Sequence, residues 1–367
     1  MTNNINTATS TSIKNRCMRL RSVPNGKIVK SDLELTEEPI PSIAADDENS
    51  GYHVIVKNTM ASIDPTHRIW MNAKKDQYMD GVALGDIMRA ITVGIITESR
   101  NIDWPVGTKV VGFGGICDYY VGIPEVTIVE KCACNTNNEI SPTLELSYGG
   151  FVIGLTAWHG VNKILQPGSS GGGGDSNNEV VVISGGAGAV GSIAGQLSKT
   201  KGVTVIGIAG GKEKCLFMTE TLGYDYAIDY KSDEYTISDK LKEYAPDGIT
   251  GYFDNVGGTV TEAVLANARN YMKMAICGSI SEYDDEWQGI KNFNMILMRR
   301  ISIQGFVCTD HLDELSDARK DLYQLKKEGR LIFREDIREG IENYTEVVNL
   351  LFTGGNKGKL LLKINEQ

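Results

Sequence analysis

Apolar residues recur along this chain with two different periods. Between residues 52 and 128 they come in short β-like runs at 52–57, 90–97, 109–113 and 119–128, parted by turn sequences such as Trp104-Pro105-Val106-Gly107. Clustered short strands punctuated by Gly and Pro predict a mainly β module. Beyond Ser147 the character changes. A helix-compatible apolar stretch covers 149–163, strands are expected at 180–183, 203–209, 226–228, 251–254, 273–276 and 301–307, and helices near 213–222, 238–244, 260–268 and 312–328. Alternating strand and helix predict a doubly wound parallel sheet, so the expected fold class is α/β, a Rossmann-type domain beside a mainly β domain. A β-like piece at 331–336 and the closing run 358–363 are expected to rejoin the β module. The expected division is therefore a β domain at 13–147 and 313–367 and a nucleotide-binding domain at 148–312. An Asn/Thr/Ser-rich tail (1–12) is expected to be disordered, and a Gly/Ser-rich stretch (167–178) to be a flexible surface loop.

One stretch organises the rest. Residues 179–191 read Glu-Val-Val-Val-Ile-Ser-Gly-Gly-Ala-Gly-Ala-Val-Gly, a continuous β-branched run ending in a glycine cluster. Val190, Ile193, Ala194 and Leu197 then recur at helical spacing, so the unit is strand, glycine turn, helix. Gly186, Gly188 and Gly191 satisfy G-x-G-x-x-G in that setting, which is a cradle for a pyrophosphate at a helix N-terminus. A cofactor lacking the 2′-phosphate calls for a carboxylate at the end of the second strand. None stands there. Gly210 and Gly211 are followed by Lys212 and Lys214, cations suited to a 2′-phosphate, which points to NADP(H).

Composition narrows the picture further. With 367 residues and a net charge of −10, the chain is long enough for two domains and carries the wrong sign for nucleic acid. No apolar run approaches the roughly eighteen residues of a membrane span, so a soluble, cytoplasmic protein with a small-molecule partner is expected. Seven cysteines scattered through the chain do not read as a disulfide framework. His53, His67, His159 and His311 are not spaced with cysteine or glutamate as a zinc constellation, so they are read as structural or surface residues and no metal is expected. Residues 14–30 carry several basic residues and no acid, faintly like a transit peptide, but lack a clear amphipathic helix.

Several collinear motifs resemble the medium-chain dehydrogenase/reductase superfamily, in its zinc-independent branch of prostaglandin reductases, alkenal double-bond reductases and curcumin reductases. They are Asp64-Pro65 with Arg68 and Met71; Gly154-Leu155-Thr156-Ala157; residues 185–196; Ala227-Ile228-Asp229-Tyr230-Lys231; Phe253-Asp254-Asn255-Val256-Gly257-Gly258; Ile276-Cys277-Gly278-Ser279-Ile280-Ser281-Glu282-Tyr283; and Gly355-Asn356 with Gly358-Lys359. The resemblance implies a GroES-like β domain and a homodimer. It also implies that Gly186, Gly188, Ala189, Val190 and Gly191 hold the pyrophosphate and that Lys214 and Tyr230 meet the 2′-phosphate. Asn255, Cys277, Gly278, Ser279, Ile280, Ser281, Phe306, Val307, Cys308 and Asn356 would line the rest of the cofactor site. Where zinc alcohol dehydrogenases of this superfamily carry Gly-His-Glu, this chain has Gly85-Asp86-Ile87. At the substrate end it departs from its relatives, with Thr66 and His67 in place of a tyrosine or small residue and a methionine.

A metal-free site with a reduced nicotinamide needs chiefly a neutral hydrogen-bond donor where an enolate oxygen develops. Tyr283 fits, since a phenol stays protonated at neutral pH. The expected activity is NADPH-dependent reduction of the activated double bond of α,β-unsaturated ketones or aldehydes, with Tyr283 as enolate stabiliser. A quinone reductase and a catalytically idle NADP-binding protein are the alternatives.

Overall fold

The computed structural model describes residues 14–43, 53–72, 77–132, 141, 143–148, 152–169, 178–283 and 289–366. The expected disordered tail (1–12) and residues 170–177 of the Gly/Ser-rich loop lie outside the described residues. Strands β1 (Lys14–Leu20) and β2 (Leu33–Pro39) form an antiparallel hairpin that periodicity alone did not predict. Its basic residues are paired rather than displayed. Lys14 meets Glu37 at 2.9 Å, Arg19 meets Glu38 at 2.7 Å, Arg21 meets Glu34 at 2.8 Å, and Arg16 meets Asp118 at 2.8 Å. Residues 14–20 thus form a charged strand whose acidic partners lie mostly on β2.

Strands β3 (Val54–Ser62), β4 (Thr92–Ser99), β5 (Lys109–Gly112), β6 (Tyr119–Gly122) and β7 (Ile128–Lys131) follow. The single strand expected at 119–128 is thus two, broken by a turn in which Glu125 adopts a φ of +64°. Six parallel strands come next: β8 (Val180–Ser184), β9 (Thr204–Ala209), β10 (Tyr226–Asp229), β11 (Ile249–Asp254), β12 (Ala268–Ile276) and β13 (Ser302–Gly305). Their spatial order is β10-β9-β8-β11-β12-β13, so the winding reverses between β8 and β11 and opens a crevice at the carboxyl ends of those strands. Finally β14 (Glu335–Glu339) and β15 (Lys359–Lys363) complete a seven-stranded, mainly antiparallel sheet of order β14-β15-β3-β4-β5-β7, with β6 paired to β3.

The continuous apolar run of β8 reflects burial on both faces. Val181 and Ile183 pack with Leu197, Val205 and Phe253 on one side; Val180 and Val182 pack with Ile206, Tyr252 and Val264 on the other. The helix expected at 149–163 is an α-helix, Ile153–His159, that continues as a π-helix over Gly160–Leu165. The return to the β module, expected at residue 313, comes later. Ala318 and Leu322 of the helix Leu315–Lys327 sit in the same core as Ile183, and the chain rejoins the antiparallel sheet only at β14. Arg319 on that helix pairs with Glu130 of β7 and, at 2.9 Å, with the buried Glu145, which ties the helix to the β module.

Candidate active site

The glycine turn after β8 has a separate requirement at each position. Gly185 takes a φ of +61°, and its carbonyl accepts the Gly188 N–H at 2.8 Å. A Cβ on Gly186 would lie 2.7 Å from Met218 Sδ, and one on Gly191 only 2.3 Å from the Gly185 carbonyl oxygen, so packing excludes side chains at both. Gly188 is different. Its Cβ would meet one atom, the Gly185 carbonyl oxygen at 3.1 Å, a contact still tight but looser than those at Gly186 and Gly191. The helix Ala189–Thr200 starts here with no side chain capping it, and its first-turn N–H groups, around Ala189, Val190 and Gly191, are available to an anion. Beneath the turn lies Tyr224, which the sequence did not single out. Its fully buried hydroxyl donates to the Gly191 carbonyl at 2.6 Å, with the Gly186 carbonyl at 3.2 Å. Burial pushes that phenol far above its ordinary pKa, so it stays a donor.

At the end of β9 no carboxylate faces outward. Gly211, at a φ of +96°, gives its N–H to Asp229 Oδ1 at 2.7 Å, and the same oxygen accepts the Lys231 N–H at 2.9 Å. Tyr230 and Lys231 lie over Gly210, where a Cβ would come within 2.8 Å of both side chains. Beside them a cavity of about 260 Å³ is lined by Ala187, Lys212, Lys214, Arg334, Asn356 and Lys357, among others. A point on Gly354 lies 3.7 Å from Lys214 Nζ and 3.8 Å from Lys231 Nζ, so the two ammonium groups converge. Burial, then repulsion from Lys231, lowers the Lys214 pKa. Lys357 is partly neutralised by Glu213 at 2.7 Å, and Arg334 stacks over Phe217 at 5.5 Å. The lining is mostly cationic, with Glu213 among it, and has the charge to hold a multiply charged anion; Lys231, Arg334 and Lys357 were not assigned to this region from the sequence. Asn356 belongs to its wall, buried, with its amide donating to the Gly358 carbonyl at 2.9 Å.

The remaining sequence-derived residues gather at the carboxyl ends of β11 and β12. The buried Asp254 carboxylate accepts from Tyr252 (2.8 Å), Ser184 (3.0 Å), Thr261 (2.5 Å) and the N–H groups of Val256 and Gly257 (both 2.9 Å). That fixes the loop carrying Asn255, whose amide donates to the Ser184 carbonyl at 2.7 Å. Cys277 and Gly278 both give their N–H to the Asp254 carbonyl, Ile280 gives its N–H to Asn255, and the Ser281 hydroxyl donates to Val256 at 2.6 Å. Tyr283 folds back over this turn. Its hydroxyl accepts the Ser279 N–H at 3.2 Å, which leaves its own proton for a ligand, and burial raises its pKa. Burial likewise raises the thiols of Cys277 and Cys308.

Phe306 lies edge-on to Phe253 and close to His159, and Val307 precedes the tight turn Cys308–Glu314. From the β module comes Tyr78, another residue the sequence did not flag. Its side chain is half-exposed, and its phenol is pushed up to about 12 by desolvation first and then by the charges of Tyr283 and Cys308.

Behind this end, Asp64 pairs with the fully buried Lys359 at 2.6 Å. His67 is buried against Trp70, and its Nδ1 meets the Tyr344 hydroxyl at 2.8 Å. Burial lowers its pKa to about 4, so it is neutral.

The histidines also need a correction, because one of them, His159, does meet a glutamate and a second, His311, packs against it. His159 Nδ1 lies 2.7 Å from Glu314 Oε2 and the His311 ring stacks on His159 at 3.6 Å. The three potential ligand atoms lie within 4.8 Å of one another, and the 2.7 Å contact pairs His159 with Glu314 directly.

A glycine turn with an uncapped helix N-terminus, a cationic pocket beside Gly210 and a neutral, hydroxyl-lined far end together fit NADP(H). Residues 16–128 match a family described as "N-terminal domain of oxidoreductase", and residues 189–325 one described as "Zinc-binding dehydrogenase". Although the second description names zinc, the residues it matches contain one histidine, His311. The NADP(+)-dependent 2-alkenal reductase of Nicotiana tabacum is 30% identical over 97% of this chain and 99% of its own length. The NADPH-dependent curcumin reductase of Escherichia coli (strain K12) is 30% identical over 96% and 97%. Among solved structures, CurA from Vibrio vulnificus in complex with NADPH superposes with a TM-score of 0.85 at 30% identity, covering 96% of this chain and 100% of that one.

Proposed function

Because this chain belongs to the medium-chain dehydrogenase/reductases, in their zinc-independent branch of alkenal, curcumin and prostaglandin reductases, we propose that it reduces the activated carbon–carbon double bond of α,β-unsaturated ketones or aldehydes with NADPH. Gly186, Gly188 and the first turn of the helix Ala189–Thr200 would hold the pyrophosphate, and Lys214, Tyr230 and Lys231 the 2′-phosphate. When bound, the cofactor supplies hydride for the β-carbon of the substrate. The protein's task is then the negative charge that develops on the carbonyl oxygen.

Tyr283 carries this reading. It is a protonated phenol at the carboxyl edge of the sheet, and a hydrogen bond accepted from Ser279 polarises its own O–H toward a substrate oxygen. Tyr78, whose phenol is also held protonated, would stand near it on the β-module side. The test is NADPH consumption with an enal, an enone and a quinone, for wild type and for Tyr283→Phe. Turnover of the enone and a tenfold to thousandfold loss in the variant are expected, the range for removing one such donor. Quinone turnover without enone turnover would reassign the activity.

A homodimer is part of the same proposal. Edge strand β13 is exposed along its whole length, and Phe293, Leu297, Met298 and Ile303 are exposed beside or on it. An unpaired strand edge with apolar neighbours is a natural two-fold contact. Size-exclusion chromatography with light scattering is expected to give twice the chain mass. A cytoplasmic setting agrees with the six described cysteines, all of them thiols, and no described helix is long and apolar enough to cross a membrane.

A further inference from the structure

Within the β module, β1 passes beside residues 116–119. There Cys17 and Cys117 stand opposite each other as partners in an isolated antiparallel bridge. The backbone bonds fall on either side of them: Met18 N–H to the Ile116 carbonyl and Asp118 N–H to the Arg16 carbonyl, both 2.9 Å. That makes Cys17 and Cys117 a non-hydrogen-bonded pair, the position where opposed Cα atoms approach to about 4.5 Å and side chains come closest. A disulfide spans Cα separations of roughly 4.4–6.8 Å. The backbone therefore already stands at bridging distance.

The frame around the pair is firm. Arg16 forks onto Asp118 at 2.9 and 2.8 Å, the Asn15 side chain exchanges bonds with the Tyr119 backbone at 3.0 and 2.8 Å, and Asn58 Nδ2 donates to the Cys117 carbonyl at 2.9 Å. Both cysteines are 0% exposed, which shields them from bulky reagents and leaves each as the other's nearest thiol partner. Their contact is also unequal. The Cys117 neighbour holds the Cys17 thiol below its ordinary pKa, while the same contact and burial push Cys117 well above it. With Cys17 as the attacking sulfur, the Cys117 thiol is the hydrogen-bond donor that steadies its thiolate.

We propose that Cys17 and Cys117 form a reversible redox modification site, closing into a cross-strand disulfide when a small peroxide reaches them. The Cys17 thiolate attacks one oxygen of hydrogen peroxide, the O–O bond breaks, and the leaving hydroxide takes a proton to become water. Cys17 is then a sulfenic acid. The Cys117 sulfur attacks the sulfenic sulfur, the S–S bond forms, and the hydroxyl departs with the Cys117 proton as a second water. Two thiols lose two electrons and one peroxide becomes two waters. A dithiol reductant reverses the step by thiol–disulfide exchange. The bridge would join the first strand to a segment far along the chain, the kind of long loop for which a cross-link restricts the unfolded state most.

The experiment uses the reduced full-length protein, exposed to hydrogen peroxide, alkylated under denaturing conditions and mapped without reduction. A peptide joining Cys17 to Cys117 is expected, with a rise in Tm of roughly 3–8 °C that dithiothreitol abolishes. Cys17→Ser and Cys117→Ala, each first shown by circular dichroism to be folded, are each expected to lose both the cross-link and the shift. Recovery of both cysteines as alkylated thiols, as sulfinic acids or in bridges to other cysteines would overturn the proposal.

Discussion

At the adenosine end of the cleft charge is left standing, and at the other end it is removed. Lys214 and Lys231 converge within a few ångströms of Gly354 with like charges, which Glu213 and Asp336 offset only in part and an incoming anion would relieve further. Tyr78, Tyr283, Cys277 and Cys308 gather at the opposite end, and burial raises the pKa of every one, so all are neutral near pH 7. The first end is built to grip a charge that already exists. The second is built to receive a charge that appears only during reaction, for which a fixed dipole serves better than a cation that would bind the ground state as well. The turn at Gly186 to Gly191 lies between them and treats any dinucleotide alike.

The largest effect should follow from removing the dipole. Tyr283→Phe is expected to lower kcat tenfold to a thousandfold with little change in the KM for NADPH, because the phenol lies at the neutral end. The pH profile provides a separate check. Tyr283 donates in its protonated form, and burial moves its pKa above the ordinary value near 10, so kcat/KM should hold from neutrality to about pH 10 and fall only beyond it. In Tyr283→Phe that alkaline limb should vanish; its persistence would assign the limb to another group, with Tyr78 first in line.

A second effect, of intermediate size, belongs to the charged end. Lys214→Ala combined with Lys231→Ala is expected to raise the KM for NADPH tenfold to a hundredfold and leave that for NADH nearly unchanged, the loss expected for one or two charge-assisted bonds in a half-open pocket. Calorimetry with 2′,5′-ADP against 5′-AMP reads the same difference without turnover. Equal losses for both nucleotides would mean that the lysines do not sense the 2′-phosphate.

How much of this could be read from the chain depends on how far apart the partners lie in sequence. The glycine turn was legible because Gly186, Gly188 and Gly191 and the strand and helix that interpret them occupy one short stretch. Lys214 was legible because it closely follows the second strand. Arg334 and Lys357 were not, since they reach the same pocket from the far side of the chain, and Tyr78 arrives from a loop that carries no pattern of its own. The β1–β2 hairpin was hidden for another reason. Its alternation is carried by charge pairs across the two strands, and β2 turns Leu35 outward, so a search for an apolar face finds little. Tyr283 was reached through a motif rather than a period. The π-helical continuation at Gly160–Leu165 shows the limit of periodicity, because a π turn keeps apolar residues inside while shifting their spacing.

The smallest of these effects tests the neutral ground between the ends. The Tyr224 ring fills the space left by three glycines: a Cβ on Gly195 would fall 2.3 Å from its Cε1, one on Gly207 2.7 Å from its Cδ2, and one on Gly186 3.2 Å from its Cε2. Tyr224→Phe keeps that ring and removes only the hydroxyl that donates to Gly191. Losing one buried hydrogen bond costs about 1–2 kcal/mol, read as a lower midpoint of urea unfolding. Because the bond steadies the pyrophosphate turn, the KM for NADPH and for NADH should rise together, severalfold, while the preference between them and the response to Tyr283→Phe stay as in wild type. A variant that weakened NADPH alone would tie Tyr224 to the cationic pocket, and one that lowered kcat would tie it to the hydroxyl end. In either case the turn could no longer be treated as indifferent to what lies on its two sides.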